Sequence, residues 1–237
     1  MSDGIYVSMN GAAARLAQLD AVSDNLANVQ TPGFKAERPA FEAFLANADS
    51  RLDATKVYPA AVSTRVDLSA GAIEQTGNPL DVVPTGTSFI GVMTGQGVAL
   101  TRNGQLRVDA AGVLTAAGHP VMDRAGKQLV APPNATVRVE TSGAVYGNEV
   151  LLGQVGLYEA TGAVDRIGPS LLAPQDPKTL KPSQDQLRVG VIEGGNASAL
   201  ESAVQLVSAQ RHFEASIQAL QTYKRLDERI TEVGRVR

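Results

Sequence analysis

The sequence predicts an α+β protein in which long N- and C-terminal helices form a coiled-coil-like core layer and the middle of the chain forms a mainly antiparallel, all-β domain. Three observations carry this. Apolar residues near the start recur at helical spacing, a long stretch near the end holds neither proline nor glycine, and glycines cut the centre into short segments.

From Asp3 to Val29 the apolar positions Ile5, Ala12, Leu19 and Leu26 repeat every seven residues, with Met9 and Leu16 forming a second ladder beside them. That is a narrow seam. The second ladder meets Ser23 and Gln30, and Val22 and Val29 are displaced by one position, so the seam is imperfect and faces more than one neighbour. Asp3 serves as a cap and Pro32-Gly33 as a stop. Asn25 and Asn28, three apart around Leu26, admit two readings. A seam asparagine costs stability and fixes register, because its amide finds a partner in one alignment only. Alternatively Asn28 approaches the helix end and Asn25 is exposed.

Between the helices, Gly97, Gly104, Gly112, Gly118 and Gly126 separate runs such as Gln105–Asp109 and Val113–Ala116, and Asn103-Gly104 offers a hairpin turn. This is a β-meander pattern. Further strands are expected at Asp81–Val83, Phe89–Met93, Thr136–Glu140, Val150–Tyr158 and Gln186–Ile192. Two stretches read as irregular: polar, alanine-rich 47–69, and 168–182 with Pro169, Pro174, Pro177 and Pro182.

After Gly194-Gly195-Asn196, the stretch Ser198–Val233 carries Leu200, Val204 and Val207, then Phe213, Ile217 and Leu220, then Tyr223, Leu226, Ile230 and Val233 at steps of mostly three and four. It reads as one long helix. Mixed charge fills its other faces, including Arg211 and Glu214. The expected organisation is a terminal helix and motif over 1–34, an extended linker over 35–75, a β-rich domain over 76–192 and a second helix over 193–237. Each terminal helix offers few large side chains against the backbone entropy of ordering it, so the ends are expected to order fully only in an assembly.

At 237 residues the chain suffices for one full core or a core with extended arms. Lys+Arg 21 against Asp+Glu 24 gives no electrostatic footprint for nucleic acid or an anionic membrane. The absence of cysteine removes disulfides and thiolate chemistry. Residues Met1–Gly4 lack the basic region and apolar run of a cleavable secretory signal. Val82–Thr101 is uncharged over a bilayer-length span, but its glycines, Pro84 and interleaved Thr and Ser make a poor membrane helix.

Ser23–Lys35, reading SDNLANVQTPGFK, resembles the N-terminal signature of bacterial flagellar rod and hook proteins, with Thr31, Gly33 and Phe34 at its end. Thr76-Gly77-Asn78-Pro79-Leu80-Asp81-Val82 and Leu100-Thr101-Arg102-Asn103-Gly104 resemble the family's central motifs in the same order. Glu193–Glu214, containing Arg211, is similar to its closing signature. The sequence departs from the family at Ser23 or Asp24, at Gln30, at Gly195-Asn196-Ala197 and at Ser88-Phe89-Ile90. The short length and the Ile5–Met9 start resemble a proximal-rod type; a distal-rod or hook-type protein is the alternative. The resemblance implies a structural subunit, exported without a cleaved signal by the flagellar type III apparatus. It would stack with copies of itself and other rod subunits into the torque-transmitting shaft within the periplasm. The implied assembly core is Ile5, Met9, Leu16, Leu19, Asn25, Leu26, Asn28, Leu200, Val204, Val207, Phe213, Ile217 and Leu220.

No chemistry competes strongly. Of two histidines, His119 sits in a turn beside Pro120 and His212 on the C-terminal helix, and neither forms a pair at metal-ligand spacing. Gly95-Gln96-Gly97 lacks the third glycine of a dinucleotide fingerprint, Leu100 standing there, and reads as turn chemistry. No enzyme activity, cofactor, metal, nucleic acid or direct membrane insertion is expected. A β-domain binding module oligomerised by its helices, and a β-core hydrolase, are the competing readings.

Overall fold

A computed structural model describes the backbone of residues 2–45 and 57–235 and the side chains of residues 9–38, 64–226 and 229. The fold is α+β, and the strands within residues 73–193 pair antiparallel. It opens with helix α1 (Ser2–Ala27), which ends where Thr31 N–H donates to the Asn28 carbonyl and Pro32-Gly33 bars continuation. Strands β1 (Glu37–Leu45) and β2 (Val57–Val66) follow as a two-stranded sheet, and β3 (Ile73–Gln75) and β4 (Val82–Pro84) come next.

The central hairpin is β5 (Phe89–Thr94) and β6 (Gly97–Thr101), in register from Ile90–Thr101 to Thr94–Gly97 across the Gly95-Gln96 turn. The meander continues with β7 (Arg107–Val108), β8 (Leu114–Ala116), β9 (His119–Pro120), β10 (Val137–Val139), β11 (Ala144–Gly147) and β12 (Val150–Gln154). It then runs through β13 (Leu157–Ala160), β14 (Val164–Gly168), β15 (Leu171–Pro174), β16 (Leu180–Pro182), β17 (Leu187–Val189) and β18 (Val191–Glu193). Helix α2 (Ala199–Arg235) closes the chain.

The largest sheet has the order β14-β15-β6-β5-β13-β16. Side chains alternate along its strands, so it feeds two cores at once. Ile90, Val92, Ala99, Leu157 and Leu171 face a large cluster that includes Val82, Leu114, Leu129, Val145 and Leu187. Phe89, Leu100 and Leu172 point the other way, against Leu68, Tyr158 and Leu180.

By internal contacts the chain forms two units. One comprises Met1–Leu26, Glu37–Arg65 and Ser198–Arg237; the other comprises Ala27–Ala36 and Val66–Ala197. In the first unit, among the described residues, those buried on α1 are Ala12, Ala21, Val22 and Asn25, and those buried on α2 are Ser202 and Ala209. Small side chains hold these buried positions, while many larger ones stay outside.

Several expectations need correction. Residues 57–66, inside the stretch read as irregular and the span read as a linker, form β2, paired with β1 over 37–45; the rest of the irregular stretch up to residue 56 lies outside the described residues. The proline-rich 168–182 is also regular: Pro174 ends β15, Pro177 occupies the first turn of a short 3-10 helix capped by Asp176, and Pro182 lies on edge strand β16. Edge strands and first helical turns tolerate the missing N–H, so proline content alone does not exclude regular structure. Asn103-Gly104 makes no hairpin, since β6 pairs with β5 and β15 whereas β7 pairs with β8. The stretches 150–158 and 186–192 each split into two strands serving different sheets.

Candidate functional site

The four motifs singled out in the sequence lie mainly in the second unit, and the structure shows how three of them meet. After α1, Thr31 Oγ1 donates to Asn28 Oδ1 at 3.2 Å and the chain turns at Gly33. Gly33 has φ +69°, and a Cβ there would sit 2.2 Å from Asn103 N. Only glycine lets these two backbones touch. Gly33 N–H then donates to the Glu193 carbonyl at 2.7 Å, and Phe34 is fully buried with the Arg166 guanidinium over its ring.

Next in the chain, Lys35 places its ammonium in the interior. Lys35 Nζ donates to Glu193 Oε1 at 2.7 Å and to the Ser69 carbonyl. Arg102 reaches the same carboxylate from β6's end, Nε to Oε2 at 2.8 Å, and its remaining donors bond the carbonyls of Pro84, Gly86 and Ser88. Gly71 N–H also donates to Glu193 Oε1 at 3.0 Å. Side chains of Lys35, Arg102 and Glu193 are all essentially shut off from solvent. A buried carboxylate thus gathers two cations, each hydrogen-bonded on its other side, which is the condition for a buried ion cluster to persist. Burial pulls the Lys35 ammonium below its ordinary value of 10.5, with the Glu193 hydrogen bond and charge opposing and Arg102 adding to the decrease.

Three residues on, Asn196 completes the junction. Its Oδ1 accepts from Ala36 N–H at 2.7 Å, and its Nδ2 donates to the carbonyls of Asp67 and Ser69. Its own N–H donates to the Phe34 carbonyl at 3.2 Å. Segments 33–36, 67–71, 102–103 and 193–196 are thereby fastened at one place.

The remaining motif, Thr76–Val82, is a loop closed by its own side chains and bonded to Gly190 and Gly104. Buried Asp81 accepts from Thr76 Oγ1 at 2.7 Å and Asn78 Nδ2 at 3.1 Å, while Thr76 and Gly77 donate to the Gly190 carbonyl. Pro79 is exposed and Leu80 packs against the large core. Thr101 is buried and its hydroxyl donates to the Ser170 carbonyl at 2.7 Å. The contacts of residues 31–36, 76–82, 101–103 and 193–196 serve closure of the fold.

Asn25 requires a correction. It is neither exposed nor free to set register against another chain: Nδ2 donates to the Glu37 carbonyl at 2.8 Å and Glu37 N–H donates to Oδ1 at 2.9 Å. Its amide mimics a strand partner for the start of β1. Asn25→Leu keeps the volume and removes both of these hydrogen bonds, so we expect a loss of about 1–3 kcal/mol, read by urea unfolding and by faster exchange of the Glu37 amide.

Other residues of the expected assembly core fall into two sets. Leu19, Leu26, Asn28, Phe213, Ile217 and Leu220 are half-buried, whereas Met9, Leu16, Leu200, Val204 and Val207 are exposed, Leu200 to 77% and Val204 to 63%. Arg211 and Glu214 are exposed on α2, and the Ile5 side chain lies outside the described residues. The sequence reading did not single out Lys35, Glu193 or Asn196 as site residues, although all three lie in quoted stretches. Their only sequence signal was a charge or amide directly beside a glycine-rich motif.

Among the described residues, no group of three or more His, Asp or Glu is gathered closely enough to hold a metal ion, and no helix is long and apolar enough to cross a membrane.

Fold and junction define an α+β chain whose motifs fasten segments 33–36, 67–71, 102–103 and 193–196 within one β unit. Residues 5–35 match the model of the flagella basal body rod protein, and residues 188–233 match that of the flagellar basal body rod FlgEFG protein C-terminal. The chain is 30% identical over 224 residues to the flagellar basal-body rod protein FlgF of Rhizobium meliloti, covering 90% of each. It is 28% identical to FlgF of Mesorhizobium japonicum over 99% of both chains, and 29% identical to FlgF of Escherichia coli over 93% of both. The chain belongs to the flagellar basal-body rod protein family.

Proposed function

We propose that this chain, a structural subunit of the flagellar basal-body rod, is built into the shaft through the apolar faces that α1 and α2 leave uncovered. The observation that carries this is the exposure of Met9 and Leu16 on α1 and of Leu200, Val204, Val207, Tyr223 and Leu226 on α2. These are large side chains at helical spacing, and burying each contributes roughly 1.5–3 kcal/mol. Interlocked with neighbouring copies and other rod subunits, the helices would form a coiled-coil-like inner layer. Residues 76–192 would stand outside it as a β domain. A repeated contact whose rotation does not close on itself grows as a helical tube, and a helix held between neighbours cannot turn without unpacking them. The proximal type of rod position suits the similarity to FlgF chains, delivery is by the flagellar type III export apparatus, and the role requires no catalysis.

The test is the double variant V204E/V207E. Both side chains are exposed, so thermal unfolding of the purified chain is expected to match wild type, while a deletion strain carrying the variant stays non-motile and its basal bodies lack complete rods. Normal rods in that strain would refute the reading.

A further inference from the structure

The junction holds an electrostatic conflict in which Glu193 is the carboxylate bonded to both cations. Lys35 and Arg102 converge on one buried spot, and the anion that they share comes from Glu193, 158 positions after Lys35 and 91 after Arg102. Without it, two cations would face each other out of water, a situation that costs far more than the loss of one hydrogen bond. Asp67 also attracts Lys35, but less than Arg102 repels it. The backbone follows the same logic: Gly33 N–H bonds the Glu193 carbonyl and Ala36 N–H bonds the Asn196 side chain, so both ends of segment 33–36 take a partner from residues 193–196, while Asp67 N–H donates to the Ala36 carbonyl.

We propose that Glu193 acts as a charge lock that makes docking of residues 33–36 onto the β unit conditional on the arrival of residues 193–196. In a chain that emerges N-terminus first, Lys35 and Arg102 are present long before Glu193. Until then they repel, and the segment stays undocked. Once β18 pairs with β3, the carboxylate enters and segments 33–36 and 193–196 are fastened together. The device makes docking of residues 33–36 depend on residues 193–196 having been made. It rests on the junction alone and stands independently of the rod reading, because its readouts concern the single purified chain.

The test is a double-variant cycle in the full-length chain followed by hydrogen exchange and thermal unfolding. Glu193→Gln preserves shape and removes the charge, and exchange at the Gly33 and Ala36 amides is expected to accelerate roughly 100-fold. The Gly91 and Val121 amides, bonded to Gly156 and Leu114 within the β unit, should respond less. Lys35→Met in the wild-type background slows nothing and modestly speeds exchange, because Glu193 keeps Arg102. Lys35→Met added to Glu193→Gln restores at least ~10-fold of the lost protection. If Glu193→Gln melts the whole unit, the same reversal of sign is read in the unfolding temperature. A double variant no better protected and no more heat-stable than Glu193→Gln alone would overturn the proposal, as would Lys35→Met proving as damaging as Glu193→Gln.

Discussion

Gly104→Ala is expected to destabilise the β unit by about 3 kcal/mol or more, at or beyond the upper end for inserting a methyl group into a packed site. The cause is backbone against backbone. A Cβ at Gly104 would stand 1.5 Å from the Val82 carbonyl oxygen, and Val82 N–H donates to the Gly104 carbonyl at 2.9 Å, so neither strand segment can retreat without breaking that bond. Val82 is fully buried in the large core, and its strand β4 pairs with β17, the strand immediately before the one carrying Glu193. A shift of β4 would therefore reach the core and the junction together. Urea unfolding reads the loss, and Gly95→Ala supplies the control, since a Cβ there meets nothing within 4 Å. Gly104→Ala within about 0.5 kcal/mol of wild type, the range of an ordinary surface change, would show that this approach is not needed.

The second large effect concerns assembly. Leu26→Pro removes a helical N–H in the last turn of α1, clashes with the carbonyl one turn earlier and pushes Asn25 out of helical conformation, at a cost of about 3 kcal/mol or more. Asn25 would then lose its two-point hold on Glu37, and the last turn of α1, with its half-buried Leu26, would be displaced from the helix that carries the exposed Met9 and Leu16. The β unit has its own core and its own junction, so its unfolding transition should persist. Electron microscopy of basal bodies from a strain carrying the variant is expected to show no completed rods. Rods of normal length would mean that an intact α1 end is not required.

These two substitutions separate the kinds of information in the chain. Leu26 was marked by its heptad place, and Pro32-Gly33 by the rule that such a pair ends a helix; both act within a few residues of themselves. Gly104 was noticed as a glycine of a meander, but its assigned role as a hairpin turn was wrong, because the contact that requires it comes from Val82 in another segment. Likewise 168–182 looked irregular from its prolines alone, and only the order of strands in the sheet reveals that Pro182 lies on an edge where its missing N–H costs little.

By itself the sequence determined the two terminal helices, the glycine-divided strands between them and the segments that match the family, since periodicity and turn chemistry are local properties of consecutive residues. Tertiary structure alone decided that Asn25 clasps Glu37, that residues 57–66 pair as a strand, and that Lys35, Arg102 and Glu193 form one buried cluster. The physical reason is that a buried charge or amide is stable only beside its partner. Those partners lie from 12 to 158 positions away, where no local pattern records them.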